Sequence, residues 1–401
     1  MRLSTSLFYS RSADNIRQQT QGISDSQIQL STGKRINTAA DDPVGAARVL
    51  TINDELARIE QFNRNGDLAE GKLSFEESTL ASVDNVLQRT RELSLSIANI
   101  GALNDDSRQA YLSELRELQG QLAALANTQD SNGDFIFAGS LGTVQPFTAD
   151  AAGVFSYNGD LGDASVAISN TRQVQISHSG AEIFQRINGG NGTYRVDTTQ
   201  TNNGTGIIDL GTLVDPAAYT PANISLVFTG PDSYDIVNNT TATTLATNQA
   251  YVSGDAITFN GVSVSIEGEI ATGDTFTVNS SEDQGSFDVL QNLIDGLEGF
   301  VNSDGGRARL IQTTENALHD LDQNIANISE QRAGVGVRLN AISTQRDEFI
   351  SKDILLQSLR SEIEDVDLTE AITDFNNRLL SLQAAQQSFA RVQSLSLFNV
   401  I

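Results

Sequence analysis

The chain has no cysteine, no tryptophan, two histidines, five prolines and one methionine in 401 residues. Without cysteine there is no disulfide, thiolate metal site or thiol nucleophile. No stretch approaches the roughly 18 apolar residues of a membrane-spanning helix. Residues 1–30 lack the apolar core of a secretory signal, so any export is expected to proceed without a cleaved signal peptide. The histidines, His178 and His319, lie far apart without ligand-like neighbours and are expected at the surface rather than as a base or metal ligand. In Asp130-Ser-Asn-Gly-Asp134 the glycine falls at the wrong offset for a calcium loop, and a helix-ending turn is the better reading. Gly204-Thr-Gly206 and Gly334-Val-Gly336 lack the strand–turn–helix setting of a phosphate loop. The expectation is a non-enzyme with no cofactor and no metal.

Basic charge is also scarce. Twenty-five Lys and Arg face 51 Asp and Glu, a net charge of −26. Residues 1–33 and 371–401 each carry +1, which leaves −28 on the middle of the chain. Such an acidic body repels nucleic acid and anionic membrane, so neither is expected as a partner. The nearly neutral ends are rich in Ser, Gln and Asn, as suits surfaces that become covered or line something.

The absence with the largest structural consequence is in the last 65 residues, Val337–Ile401, which contain neither glycine nor proline. Long helix follows, about 98 Å if unbroken. Leu368, Phe375, Leu382 and Phe389 step by seven with Ile372 and Leu379 between them, and Val392 and Leu395 continue the stripe. At the other end Tyr9, Ile16, Ile23 and Leu30 make a matching seven-residue stripe. Asp367-Leu-Thr-Glu370 has capping-box spacing, so the last helix is expected to restart there. One apolar stripe does not offset the cost of ordering a lone helix. Both ends are therefore expected to be disordered in the free monomer and to fold on assembly.

Between the ends the period changes twice. The first helix is expected to break at Thr38–Pro43, with Asp41 or Asp42 as cap and Pro43 in the next first turn. Helical spacing follows from Val44 to about Asn99, again from Asp105 to Thr128, and again from Phe287, with a break at Asp304-Gly-Gly306. Seventeen of the 32 glycines and four of the five prolines fall within residues 141–285. There Ile224–Gly230 and Asp274–Val278 read as strands, and Ala256–Phe259, Asn260-Gly261 and Val262–Ile266 as a hairpin. The fold class is α+β: an elongated helical bundle or coiled-coil rod from the N- and C-terminal segments, with an inserted β-rich domain. The expected divisions are a terminal helix at 1–40, a rod half with a short β segment at 41–185, and the β insertion at 186–283. The other rod half follows at 284–365 and the last helix at 366–401.

Two segments resemble a known family. Gln29-Leu-Ser-Thr-Gly-Lys-Arg-Ile-Asn-Thr-Ala-Ala-Asp-Asp-Pro-Val-Gly-Ala-Ala47 is similar to the N-terminal signature of the flagellin superfamily, and Ile363-Glu-Asp-Val-Asp-Leu-Thr-Glu-Ala371 to its C-terminal one. Arg35, Asn37, Asp41, Asp42 and Pro43 lie in the first; Arg35 reads equally as solvated or as paired with an acidic residue of a neighbouring subunit. Asp41-Asp-Pro-Val-Gly-Ala46, Phe135-Ile-Phe-Ala-Gly-Ser140 with Gln145-Pro-Phe147, and the ending Ser394-Leu-Ser-Leu-Phe-Asn-Val-Ile401 resemble the hook–filament junction members rather than filament flagellins. The resemblance implies an extracellular structural subunit, exported unfolded and assembled with other copies of itself between hook-associated protein 1 and flagellin. It also implies a flagellar export chaperone on the last helix. Filament flagellin is the nearest alternative; an adhesin acting through the β domain is a more distant one.

Overall fold

The computed structural model describes residues 2–99, 103–151 and 153–397, with side chains described except at 2–6, 8 and 392–397. Helix α1 (Arg2–Thr32) ends at Gly33, whose φ of +70° and N–H to the Gln29 carbonyl form a left-handed stop. Helix α2 (Pro43–Ala98) starts with Pro43 at its first position, where a missing N–H costs nothing. Helix α3 (Asp105–Ala126) is capped by Asn104, which accepts from the Ser107 amide. Strands β1 (Phe147–Ala149), β2 (Phe155–Tyr157), β3 (Ser165–Ala167) and β4 (Gln173–Gln175) close as two small hairpins before a single turn, α4 (Gly180–Phe184).

Strands β5 (Tyr194–Thr198), β6 (Ile207–Ile208), β7 (Thr212–Leu213), β8 (Ile224–Gly230), β9 (Ser233–Asn238), β10 (Thr243–Ala250), β11 (Ala256–Phe259), β12 (Val262–Glu267) and β13 (Thr275–Ser280) form the inserted module. One antiparallel sheet runs β10-β9-β8-β13-β5; a second runs β11-β12-β6, with β7 also on β12. Alternation sends Val262, Val264 and Ile266 of β12, and Phe276 and Val278 of β13, into one apolar core. The β11–β12 hairpin turns on Asn260 (φ +47°) and Gly261 (φ +75°), the two positive-φ positions its sequence anticipates. Helices α5 (Ser286–Glu298), α6 (Asp304–Glu364) and α7 (Leu368–Leu397) complete the chain.

By their contacts, residues 1–64 with 344–401 make one compact unit and 65–343 a second, so α2 and α6 belong to both. Heptad seams organise the helical core of the second unit. Leu73, Leu80 and Leu87 on α2, and Leu321, Ile328, Val335 and Ile342 on α6, are buried in one cluster with α3 and α5. An aromatic group joins that cluster: Phe147 lies 5.4 Å from Phe184 and 5.2 Å from Phe287, and Phe137 lies 5.3 Å from Phe184.

Two expectations are corrected. The helix break falls at 299–303, before Asp304-Gly-Gly306, which forms the first turn of α6. These glycines serve close approach: a Cβ at Gly305 would meet the Asn203 carbonyl at 2.7 Å, and one at Gly306 would strike the Val301 carbonyl. His178 is not a surface residue but 3% exposed, held between the buried Glu76 carboxylate at Nδ1 and the Arg338 guanidinium at Nε2. Because arginine only donates, Nε2 is the acceptor and the Nδ1 proton faces Glu76. His319 is half-buried.

The buried Glu76–His178–Arg338 chain should be costly to break. Glu76→Ala is expected to lose about 2 kcal/mol in urea denaturation, because it leaves the buried His178 N–H without its acceptor while Arg338 keeps its bonds to His178 and Gln175. A loss near zero would show that water replaces the carboxylate.

Candidate assembly surface

The first unit contains the joint where both long helical segments restart. Lys34 and Asp365 form an antiparallel bridge; the Arg35 amide donates to the Glu364 carbonyl (2.6 Å) and the Val366 amide to the Gly33 carbonyl (3.0 Å). Side chains repeat the tie. Lys34 Nζ lies 2.6 Å from Glu364 Oε1, and Arg35 Nη2 donates to the Ile363 carbonyl at 2.7 Å. Arg35 is also 3.5 Å from Asp42 Oδ2 of its own chain.

The two aspartates divide the capping work. Asp42 Oδ1 accepts from the Gly45 amide (2.9 Å) and caps α2. Asp41 Oδ2 instead closes the preceding loop, accepting from the amides of Asn37 (3.1 Å) and Thr38 (2.8 Å), while Asn37 Nδ2 donates to the Lys34 carbonyl (3.0 Å). Backbone donors at Thr38 hold the Asp41 carboxyl below the usual range; the Gly45 amide, helped by the Arg35 charge, does the same for Asp42. Across the joint, Asp367 Oδ1 caps α7 by accepting from Thr369 (2.8 Å) and Glu370 (3.2 Å). Gly45 is buried beneath this network, and a Cβ there would meet Asp42 Oδ2 at 2.5 Å and Ile36 Cδ1 at 2.6 Å.

Helices α1 and α7 lie against each other, with Tyr9 edge-on to Phe389 at 5.8 Å. Small residues mark the tightly covered positions: Gly22, over which the Arg378 side chain lies, together with Ser26 and Ala371, is buried. The expected stripes are only partly covered. Tyr9, Ile16, Ile23 and Leu30 on α1, and Phe375, Leu382 and Phe389 on α7, are half-buried, whereas Leu368, Ile372 and Leu379 are exposed. Val392 and Leu395 fall outside the described side chains, as does the whole 394–401 ending. Leu380, which was in no stripe, is 67% exposed.

The exposure is concentrated. Among the described residues, twelve of the twenty-four exposed large hydrophobic side chains lie in the first unit, which holds under a third of the chain. Besides α7, Val44 and Leu50 on α2 and Ile350, Ile354, Leu355 and Leu359 on α6 contribute. Leucine and isoleucine at this density make the first unit the candidate assembly surface, since exposed apolar side chains of this kind are what an interface covers.

Asp130 accepts from the Asn132 and Asp134 amides (2.8 and 3.1 Å) and pairs with Lys72 (3.3 Å), so the acidic turn is closed on itself. Among the described residues no group of three His, Cys, Asp or Glu side chains is placed to hold a metal, and no helix is long and apolar enough to cross a membrane.

Comparison with known proteins agrees with this geometry. The bacterial flagellin N-terminal helical region matches residues 3–141 and the C-terminal helical region matches residues 318–401. The chain belongs to the flagellin superfamily. Within it, the sequence is 33% identical over 194 residues to flagellar hook-associated protein 3 of Salmonella typhimurium, a match spanning 47% of this chain and 58% of that protein. The structure is similar to that of FlgL from Xanthomonas campestris (27% identity, TM-score 0.71), with 77% of this chain and 99% of that chain covered. It is also similar to the flagellar junction protein FlgL from Legionella pneumophila (26% identity, TM-score 0.69), with 80% and 100% covered. Like them, this superfamily member is built as helical termini around an antiparallel β insertion.

The sequence reading missed Lys34, Gly45, Ile363 and Glu364 as parts of the joint. All four lie within the two signature segments, which was the sign the sequence offered; the burial of Gly45 shows only in the structure.

Two outcomes follow for the joint. Gly45→Val should break the Asp42 cap and speed hydrogen exchange at the Gly45, Arg35 and Val366 amides by at least tenfold, whereas unchanged rates would show that the joint tolerates the side chain. Since Asp41 and Asp42 are held below the ordinary carboxylate value of about 3.9, their contribution is fully present above it and lost as pH falls through their lower folded values. The Thr38 and Gly45 amide resonances should therefore hold their positions down to about pH 4 and move only below it.

Proposed function

We propose that this protein is a structural subunit of the bacterial flagellum that forms the junction between the hook, through hook-associated protein 1, and the flagellin filament. It polymerises with other copies through its terminal helices after export, and acts outside the cell. The observation that carries the reading is the concentration of exposed apolar side chains on the first unit, where the joint ties the two helix restarts together. The name of the Legionella pneumophila relative, a flagellar junction protein, supports the choice of location.

On this reading residues 1–40 and 366–401 are the inner assembly helices, and 41–185 with 284–365 the rod around an outer domain at 186–283. The exposed glutamines Gln383, Gln386 and Gln387 give α7 a neutral polar face suited to a channel through which unfolded chains slide. Before export, the outward stripe Leu368, Ile372 and Leu379 is the surface an export chaperone would cover.

Immunogold labelling distinguishes the junction from the filament: a narrow band at the hook–filament joint is expected, and label along the whole filament would make this a flagellin. Leu379→Asp with Leu380→Asp should abolish polymerisation while leaving the thermal unfolding of the second unit unchanged. Circular dichroism should show helix content rising on assembly, because the α1–α7 pair leaves its apolar stripes only partly covered. Equal helix content in monomer and assembly would contradict that coupling.

A further inference from the structure

The β module and the helical core beside it are separate apolar clusters, so hydrophobic contact does not by itself explain how one is held on the other. Along α6 runs a polar row, Arg309, Gln312, Asn316, Asp320 and Asn324, spaced three or four residues apart and therefore on one helix face. Each member touches the module or its neck, largely through main-chain atoms. Arg309 donates to the Asn202 carbonyl. The Gln312 amide meets both polar atoms of Ile208, accepting from its N–H (2.8 Å) and donating to its carbonyl (3.0 Å). Asn316 Nδ2 donates to the Val196 carbonyl (2.9 Å), and Asp320 Oδ1 accepts from the Gly190 amide (2.6 Å). Asn324 donates to the Gln284 carbonyl (3.3 Å) and accepts from the Ser286 hydroxyl (2.6 Å). Gln312, Asp320 and Asn324 are no more than 3% exposed.

The neck is tied as well. The two crossings of the chain form a short ladder: the Gly189 amide to the Glu282 carbonyl (3.1 Å), the Gln284 amide to the Ile187 carbonyl (2.7 Å), and the Ser281 hydroxyl to the Gly189 carbonyl (2.7 Å). Gly189 leaves room for this, because a Cβ there would lie 2.9 Å from Asp320 Oδ1 and 3.0 Å from Gln284 Cβ and would crowd the seat. Directional bonds at both ends of a row about 22 Å long constrain tilt as well as twist.

We propose that this row is a socket that carries the β module as a fixed projection of α6 rather than a body swinging on two linkers. Four of its five members hydrogen-bond the module or neck only through main-chain groups, and the Arg195 charge beside Asp320 is the added side-chain contact, so most of the module's own side chains are free to vary without losing the seat. Whatever the module binds is then presented at a set position on the helical core.

The absence of cysteine makes the test clean, since introduced cysteines are the sole labelling sites. Spin labels at Asp232→Cys on the β8–β9 turn and Ser329→Cys on α6 report the module's position in the full chain, and an Ala326→Cys, Ser343→Cys pair on α6 gives the width expected of a rigid body. The module pair should give a distance distribution as narrow as the helix pair, and Gln312→Ala with Asn316→Ala should at least double its width. The single change Asn316→Ala keeps the test valid if the double variant unfolds, and should broaden the distribution by a smaller amount. A module pair already twice as broad as the helix pair in the unsubstituted chain would overturn the socket. Unchanged width in folded variants would also overturn it, leaving the neck ladder alone to hold the module.

Discussion

Two helix interruptions separated by some 330 residues are tied to each other, and the first unit depends on that tie. Gly33 ends α1 by turning left-handed, Asp42 starts α2, Asp365 follows the end of α6, and Asp367 starts α7. None of these local signals requires the two breaks to meet. What joins them is the backbone exchange between residues 33–36 and 364–366, reinforced by Lys34 on Glu364 and Arg35 on the Ile363 carbonyl. Because each interruption is stitched to the other, α1 and α7 leave the joint as a pair. A pair of helices covers small residues such as Gly22 and Ala371 but leaves Leu379, Leu380, Leu368 and Ile372 in water. That incompleteness is the physical basis of the assembly reading.

Charge works in the same direction. A body carrying −28 discourages copies from associating wherever they touch, while the terminal segments at +1 each permit it there. The second unit buries heptad seams on α2 and α6, an aromatic group at Phe137, Phe147, Phe184 and Phe287, and the Glu76–His178 pair with the half-buried Arg338 on its far side. Exposed large apolar side chains are more than twice as dense along the first unit as along the second, and that difference separates contact from scaffold.

Much of this was legible in the sequence because it is local. Asn260-Gly261 specifies its turn by the φ angles both residues tolerate, Pro43 and Asp367 mark helix starts, and seven-residue steps mark seams. Long-range facts were not legible. His178 read as a surface histidine because the residues that bury and pair it, Glu76 and Arg338, are 102 and 160 positions away. The glycines at 305–306 read as a break because glycine does punctuate helices, yet here they admit the Asn203 and Val301 carbonyls. The α7 stripe read as one seam, whereas the structure splits it into half-covered Phe375, Leu382 and Phe389 and exposed Leu368, Ile372 and Leu379. Periodicity locates an apolar face but does not say how much of it one partner helix covers.

The central claim is that the first unit, and not the β module, is where neighbours bind. Hydrogen–deuterium exchange on the full chain, free and in the assembled layer, tests it most directly. The account predicts new protection on assembly in residues 2–32, 350–359 and 368–397, with the module strands between 194 and 280 unchanged. Protection that appears on the module strands and leaves the terminal helices unaltered would contradict it.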